Sequence, residues 1–171
     1  MFRPRFKVKD NENHKFTIGW VGRIDKKNHR KLKGYDIVLS ALTDLNVSLD
    51  IRTFKENYVP REKMVEFYQG LDCFICSSES ESLPNPVLEA AACGIPIIST
   101  KVGIVPELIK HHKNGLIVPR SSDDIHDAVI FLMNNPNKRA ELGQNIRQTI
   151  LNNWTWNECK KDWKYFFELV I

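Results

Sequence analysis

A chain of 171 residues with 42% hydrophobic content is long enough for one domain with its own core. No run approaches the ~20 apolar residues of a membrane-spanning helix, and the start Met1-Phe2-Arg3-Pro4-Arg5 lacks an apolar signal core, so the chain reads as soluble and cytoplasmic. The formal net charge of +4 is uneven, because residues 1–33 hold eleven Lys and Arg against Asp10, Glu12 and Asp25.

Such a basic start suits nucleic acid, a phosphorylated ligand or an anionic membrane surface. It lacks the clustered aromatics of a nucleic-acid binder, so no nucleic acid is expected. Most of these charges read as a solvated linker and loop, with Arg23 and Lys33 as exceptions.

In chain order, residues 1–15 are polar, basic and without periodicity, and read as a linker. Phe16 to Gly22 is a continuous apolar run, the pattern of a strand buried on both faces. Arg23 to Lys33 reads as a charged loop, and Tyr35 to Leu42 as a helix through Ile37, Val38, Ala41 and Leu42. Val47, Leu49 and Ile51 alternate as a second strand, and Met64, Tyr68 and Leu71 mark a helix after Pro60.

Residues 72–77 form a third strand. Cys73 and Cys76 have metal-like spacing, but on a strand they point to opposite faces, so packed thiols are the better reading. Asn85 reads as the N-cap of the next helix, with Pro86 at its first position and Gly94 just past its end. Ile95 to Ser99 and Leu116 to Val118 are the fourth and fifth strands, and Ile125, Ala128, Val129 and Leu132 mark an amphipathic helix. Two more helices close the chain, the last opened by the capping box Thr155-Trp156-Asn157-Glu158. Its bulky face of Trp156, Trp163, Phe166 and Phe167 is expected to pack on its own sheet or toward a second domain.

Alternating strands and helices predict an α/β fold with a parallel sheet covered on both faces. Ligands bind such sheets at the carboxyl ends of the strands, here after Val21, Cys76 and Ser99. The common nucleotide fingerprints are absent: Gly19-Trp20-Val21-Gly22 is not G-x-G-x-x-G, and no P-loop pattern or Asp-x-Asp pair occurs. The run from Ser78 to Ala92 takes their place. It puts Glu81 in a loop and Glu89 one turn inside a helix whose start, with free amides and its dipole, favours an anion. On pattern alone these glutamates could equally be helix-terminus acids.

That run resembles the signature of family 4 of the retaining glycosyltransferases, with two glutamates eight positions apart. It is closest to the Glu-Gly-Phe-Pro-Asn-x-Leu-Leu-Glu-Ala form common in polysaccharide-building members. Gly22-Arg23 and Lys33-Gly34-Tyr35-Asp36 resemble the family's phosphate-binding pair, and Tyr68 to Ile75, Ala92 to Thr100, Val102 to Ile109 and Asn114 to Val118 follow in the family's order.

The resemblance implies one half of a GT-B architecture, a Rossmann-like nucleotide-sugar-binding domain over residues 16–153. Residues 1–15 would be the linker from a missing N-terminal acceptor domain, and residues 154–171 a C-terminal helix. It further implies that Arg23 and Lys33 clasp the donor diphosphate beside Gly22, with the amides around Leu83, Pro84, Asn85, Pro86 and Val87 assisting. Glu89 would bind the ribose, Glu81 would contact the sugar, and the main chain at Gly103 and Ile104 would help to hold it. The donor would be a UDP-sugar or GDP-sugar, with no metal and no other cofactor. The acceptor would be a saccharide or lipid-linked, and peripheral contact of the complete enzyme with the inner face of the membrane stays open.

Three departures bear on the site. Ser82 replaces the usual Gly, with strain of ~1 kcal/mol or more if the backbone there needs positive φ. Ile104 replaces a second Gly and narrows the sugar pocket. The loop before Lys33 is long, which leaves Lys27 as a rival phosphate lysine. The rival functions are a GT-B epimerase or phosphorylase, and a non-catalytic nucleotide-sugar-binding domain.

Overall fold

The structure, a computed structural model, describes residues 14–53 and 55–170. Of the linker expected over residues 1–15, all but His14 and Lys15 therefore lies outside the described residues. Five strands, β1 (Thr17–Val21), β2 (Ser48–Arg52), β3 (Cys73–Cys76), β4 (Ile97–Ser99) and β5 (Leu116–Ile117), form one sheet. All pairings are parallel and the order is β2-β1-β3-β4-β5. The helices are α1 (Lys27–Lys33), α2 (Tyr35–Ala41), α3 (Met64–Gln69), α4 (Asn85–Ala92), α5 (Val105–Leu108), α6 (Ser122–Asn134), α7 (Pro136–Asn153) and α8 (Trp156–Val170).

Side-chain alternation divides the core into two layers. Ile18, Trp20, Cys73, Ile75 and Ile98 face one way and meet Val38 and Ala41 of α2 and Ile125, Val129 and Leu132 of α6. Phe74, Cys76 and Ile97 face the other way and meet Phe67 and Tyr68 of α3, Val87, Ala90 and Ala91 of α4, Leu108 of α5, and Ile146 and Ile150 of α7. Cys73 and Cys76 therefore lie on opposite faces of β3, each a free, buried thiol. Burial pushes both thiols up from their ordinary range, as befits packed side chains.

Four expectations change. The charged stretch before Gly34 is mostly helix, α1, which buries no side chain and so shows no apolar periodicity. Its Arg30, Lys31 and Lys33 fall in the last turn, where the helix dipole favours cations. Pro84, not Asn85, is the N-cap of α4, with Asn85 and Pro86 as its first two residues. The short α5, unmarked by periodicity, follows Gly103. Finally, α8 does not pack on the sheet: none of its residues is buried, and Trp156, Trp163, Phe166 and Phe167 are all exposed. Thr155 does cap it, accepting from the Glu158 amide at 3.3 Å.

Gly143 of α7 tests the packing of α7 over the β4 entry. Helix propensity alone says that Gly→Ala stabilises by ~1 kcal/mol. A Cβ there would lie 2.3 Å from the Gly94 carbonyl oxygen, and backbone cannot swing aside like a side-chain tip. The steric term should win, so Gly143→Ala should destabilise by ~1–3 kcal/mol in denaturant melts. A gain in stability would show that α7 sits farther from Gly94.

Candidate functional site

The chain runs from β1 to β2 on one side and then returns to place β3 on the other. β1 and β3 therefore flank the point where the winding direction reverses, and a crevice opens beyond their carboxyl ends. A cavity of about 180 Å³ lies there. Its floor includes Trp20 and Val21 from β1 and Phe74 and Cys76 from β3, and its rim carries Ser77, Ser78, Lys33, Glu81 and Leu83 to Val87. It is smaller than the ~300–1,000 Å³ that encloses a whole small-molecule ligand, and suits one group of a ligand lying across the edge.

Lys33 is carried to this rim by the α1–α2 junction. Gly34 turns the chain there at φ +70°, and a Cβ on it would lie 2.2 Å from the Ser77 carbonyl oxygen. Only glycine combines that conformation with that approach. The last carbonyls of α1 are then satisfied from across the seam. The Glu79 amide donates to Leu32 at 2.8 Å and the Ser77 hydroxyl donates to Lys33 at 2.8 Å.

With its backbone held this way, the Lys33 ammonium pairs with Glu81 Oε1, which also accepts from the Ser78 hydroxyl at 2.7 Å. The Ser78 carbonyl in turn accepts from Thr100 Oγ1 at 2.6 Å. Lys27, exposed at the first position of α1, does not line the cavity, whereas Lys33 does.

The other expected residues lie around this centre. Arg23 makes a two-pronged contact with Asp25, Nε to Oδ1 at 3.1 Å and Nη2 to Oδ2 at 2.8 Å. Those hydrogen bonds hold the Asp25 carboxyl well below the usual carboxylate range. Gly22 packs on Trp20, where a Cβ would come within 2.4 Å of the indole ring. Glu89 is half-buried and accepts from the Tyr68 hydroxyl at 2.8 Å. Arg23, Gly22, Glu89 and Gly103 do not line the cavity itself.

Two backbone expectations change. The first amides of α4 are not free, because Asn85 N–H donates to Leu83 and Val87 N–H to Pro84, both at 2.9 Å, and prolines have none. What α4 offers the cleft is its dipole and the Asn85 side chain. The Ile104 amide likewise donates to the Ser82 carbonyl at 3.2 Å. Gly103, at φ +47°, permits that contact, since a Cβ on it would lie 2.2 Å from the same oxygen. Ser82 carries no left-handed strain: among the described residues His112 alone of the non-glycines has positive φ.

Sequence reasoning did not single out Ser77 or Arg120. Ser77 was legible as a polar residue ending a buried strand. Arg120 was not, because it bonds to Ser77 and Lys31, 43 and 89 positions away.

A parallel sheet with a cation-bearing crevice at its switch point defines a Rossmann-like ligand-binding domain. The profile of the glycosyl transferases group 1 family matches residues 46–149, and the chain belongs to that family. A capsular polysaccharide biosynthesis glycosyltransferase, CapM of Staphylococcus aureus, is 25% identical over 91% of the chain and 48% of its own length. The chain thus spans about half the length of the curated relatives it matches. The C-terminal domain of the group 1 glycosyl transferase LpcC from Francisella tularensis superimposes with a TM-score of 0.72, at 24% identity over 91% of this chain and 96% of that one. Anabaena HepE, solved with UDP and glucose, gives 0.65 at 17% identity over 80% and 44%. The fold is therefore that of the C-terminal half of a GT-B glycosyltransferase.

Glu89 provides a test of the site's electrostatics. Burial raises its pKa, while the Tyr68 hydrogen bond and the Arg61 charge lower it. With the folded value raised, its contribution to stability is complete below the unfolded value of ~4.3 and is lost as pH rises through the folded value. Glu89→Gln keeps an acceptor for Tyr68 and removes the buried charge. It should raise the melting temperature at neutral pH, with the gain vanishing below ~pH 4. A gain that persists in acid would rule out the titration of Glu89 as its source.

Proposed function

We propose that this chain is the donor-binding half of a retaining hexosyltransferase that uses a UDP-sugar or GDP-sugar. The acceptor in this reading is a saccharide or a lipid-linked saccharide, and the setting is cytoplasmic polysaccharide or glycoconjugate biosynthesis. The observation that carries the reading is Lys33, a cation set on the cavity rim at the sheet's switch point against the carboxylate of Glu81.

In this mechanism Lys33 moves from Glu81 to the donor diphosphate. One charge-assisted hydrogen bond replaces another, and the diphosphate, with more negative charge than a single carboxylate, takes the ammonium. Glu81, released, accepts from the sugar hydroxyls. Arg23 adds a second cation on the diphosphate, and the α4 dipole points its positive end the same way. Leaving-group charge is then met by fixed cations without a metal ion. Glu89, held by Tyr68, accepts from the ribose hydroxyls. The acceptor hydroxyl is supplied by a second domain, and the departing phosphate takes its proton.

Calorimetry at low salt should show a nucleoside diphosphate binding to this chain without magnesium. Lys33→Met should weaken that binding ~10–100-fold, and Glu89→Ala by ~1–3 kcal/mol. Glu81→Ala should spare the bare diphosphate and weaken only the sugar-bearing donor. Absence of saturable binding into the millimolar range, or binding only with a divalent metal, would refute the reading.

Sugar transfer should need the other half of the enzyme. Without the acceptor held against the anomeric carbon, ~7–11 kcal/mol of barrier lowering is forfeit. A labelled-donor assay should find at most slow hydrolysis by this chain and transfer by a form extended with the acceptor domain. Comparable transfer by both would overturn the division of labour.

A further inference from the structure

Helix α1 carries Lys33 yet buries no side chain, so apolar packing does not locate it. Its position depends on the polar seam with the β3 exit loop, made by the Gly34 turn, the Ser77 hydroxyl and the Glu79 amide. A third element joins that seam. Arg120, immediately before the Ser121 N-cap of α6, donates from Nε to the Ser77 carbonyl at 3.0 Å and from Nη2 to the Lys31 carbonyl at 2.5 Å. Its Nη1 lies 3.9 Å from Glu79 Oε2.

One planar group therefore grips both segments that face each other across the cavity: α1, which carries Lys33, and the loop that carries Glu81. Arg120 does not itself line the cavity. The guanidinium suits this task because its donors diverge in a fixed plane, whereas a lysine ammonium is a single point on a flexible stem.

We propose that Arg120 is a positioning residue that sets the spacing of Lys33 and Glu81 and so tunes the site for a nucleoside diphosphate and its sugar. The proposal rests on the donor-binding reading above for its functional consequence, but its structural part stands without ligand. The side chain acts through Lys33, so its effect on affinity should exist only while Lys33 is present.

The test uses Arg120→Gln and Arg120→Lys, each alone and combined with Lys33→Met, with UDP and GDP as probes. Arg120→Gln should weaken diphosphate binding ~10-fold in the wild-type background and have no further effect in the Lys33→Met background. Equal losses in both backgrounds would mean that Arg120 acts independently of Lys33, and would overturn the proposal. Arg120→Lys should fail to restore affinity, and full restoration would show that charge alone suffices, which also overturns it. Arg120→Lys carries the cycle if Arg120→Gln does not fold.

Hydrogen exchange on the ligand-free protein separates this proposal from the donor reading. Loss of the Arg120 contacts should speed exchange at the Gly34 and Glu79 amides selectively. Unchanged exchange there would overturn the proposal even if nucleotide binds. Faster exchange in a protein that binds no diphosphate would leave the seam as proposed and remove the donor reading instead.

Discussion

Ser77 follows β3 fully buried, and both of its oxygens are committed. Its hydroxyl accepts from the Trp20 indole at 3.3 Å and directs its proton to the Lys33 and Gly34 carbonyls, at 2.8 and 3.1 Å. Its carbonyl accepts from Arg120. A buried polar knot of this kind costs ~1–3 kcal/mol for each group left unpaired, so its members hold one another to a single arrangement. Strand β1, helices α1 and α2, and the entry to α6 all meet there. The crevice therefore inherits its shape from hydrogen-bond satisfaction at the sheet's end, while the apolar layers below fix only where that end lies.

The apolar layers do this by bringing helices close. Ala90 and Ala91 of α4 are fully buried against the sheet, so α4 approaches near enough for its first residues to form a wall of the cavity. Arg147 of α7 donates to the Ala92 carbonyl and closes the far end of the same helix. A bulkier residue at either alanine would push α4 outward and move Asn85 and Pro86 away from Lys33. The small residues after Glu89 thus act on the site through distance.

The central strands β1, β3 and β4 were readable in the sequence as apolar runs buried on both faces, and the half-buried edge strand β2 by the alternation of Leu49 and Ile51 with polar residues. The two-layer split followed from alternation, and Cys73 and Cys76 occupy the opposite layers that it implies. Helix α1 was hidden for the converse reason, since a helix with no buried face leaves no period. The α4 cap was misplaced by one residue because Asn85 is a good capping side chain, yet its backbone already turns as helix after Pro84. Glu81, Lys33 and the Gly34 turn could be marked from motif order, but the seam that holds them could not. The Ser77 and Thr100 hydroxyls and the Arg120 guanidinium bond to carbonyls far away in sequence, and no local pattern encodes such pairings.

Each charged group assigned to the donor already has an intramolecular partner: Arg23 on Asp25, Lys33 on Glu81, and Glu89 on Tyr68. Left unpaired, the half-buried Lys33 and Glu89 would be partly desolvated without return. Arg23 and Lys33 are held weakly, since partly exposed ion pairs contribute little, and Glu89 by one hydrogen bond from a neutral hydroxyl. On the donor-binding reading, ligand entry then replaces one set of modest contacts with a better-directed set, and the net electrostatic gain is small beside that from placing a bare charge on a cation. Affinity and selectivity must therefore come from geometry, from how closely the Lys33 and Glu81 spacing fits a diphosphate and its sugar. A site of this kind is governed by the bonds that hold its backbone, which is why Ser77 and Gly34 matter as much as the side chains that would touch the ligand.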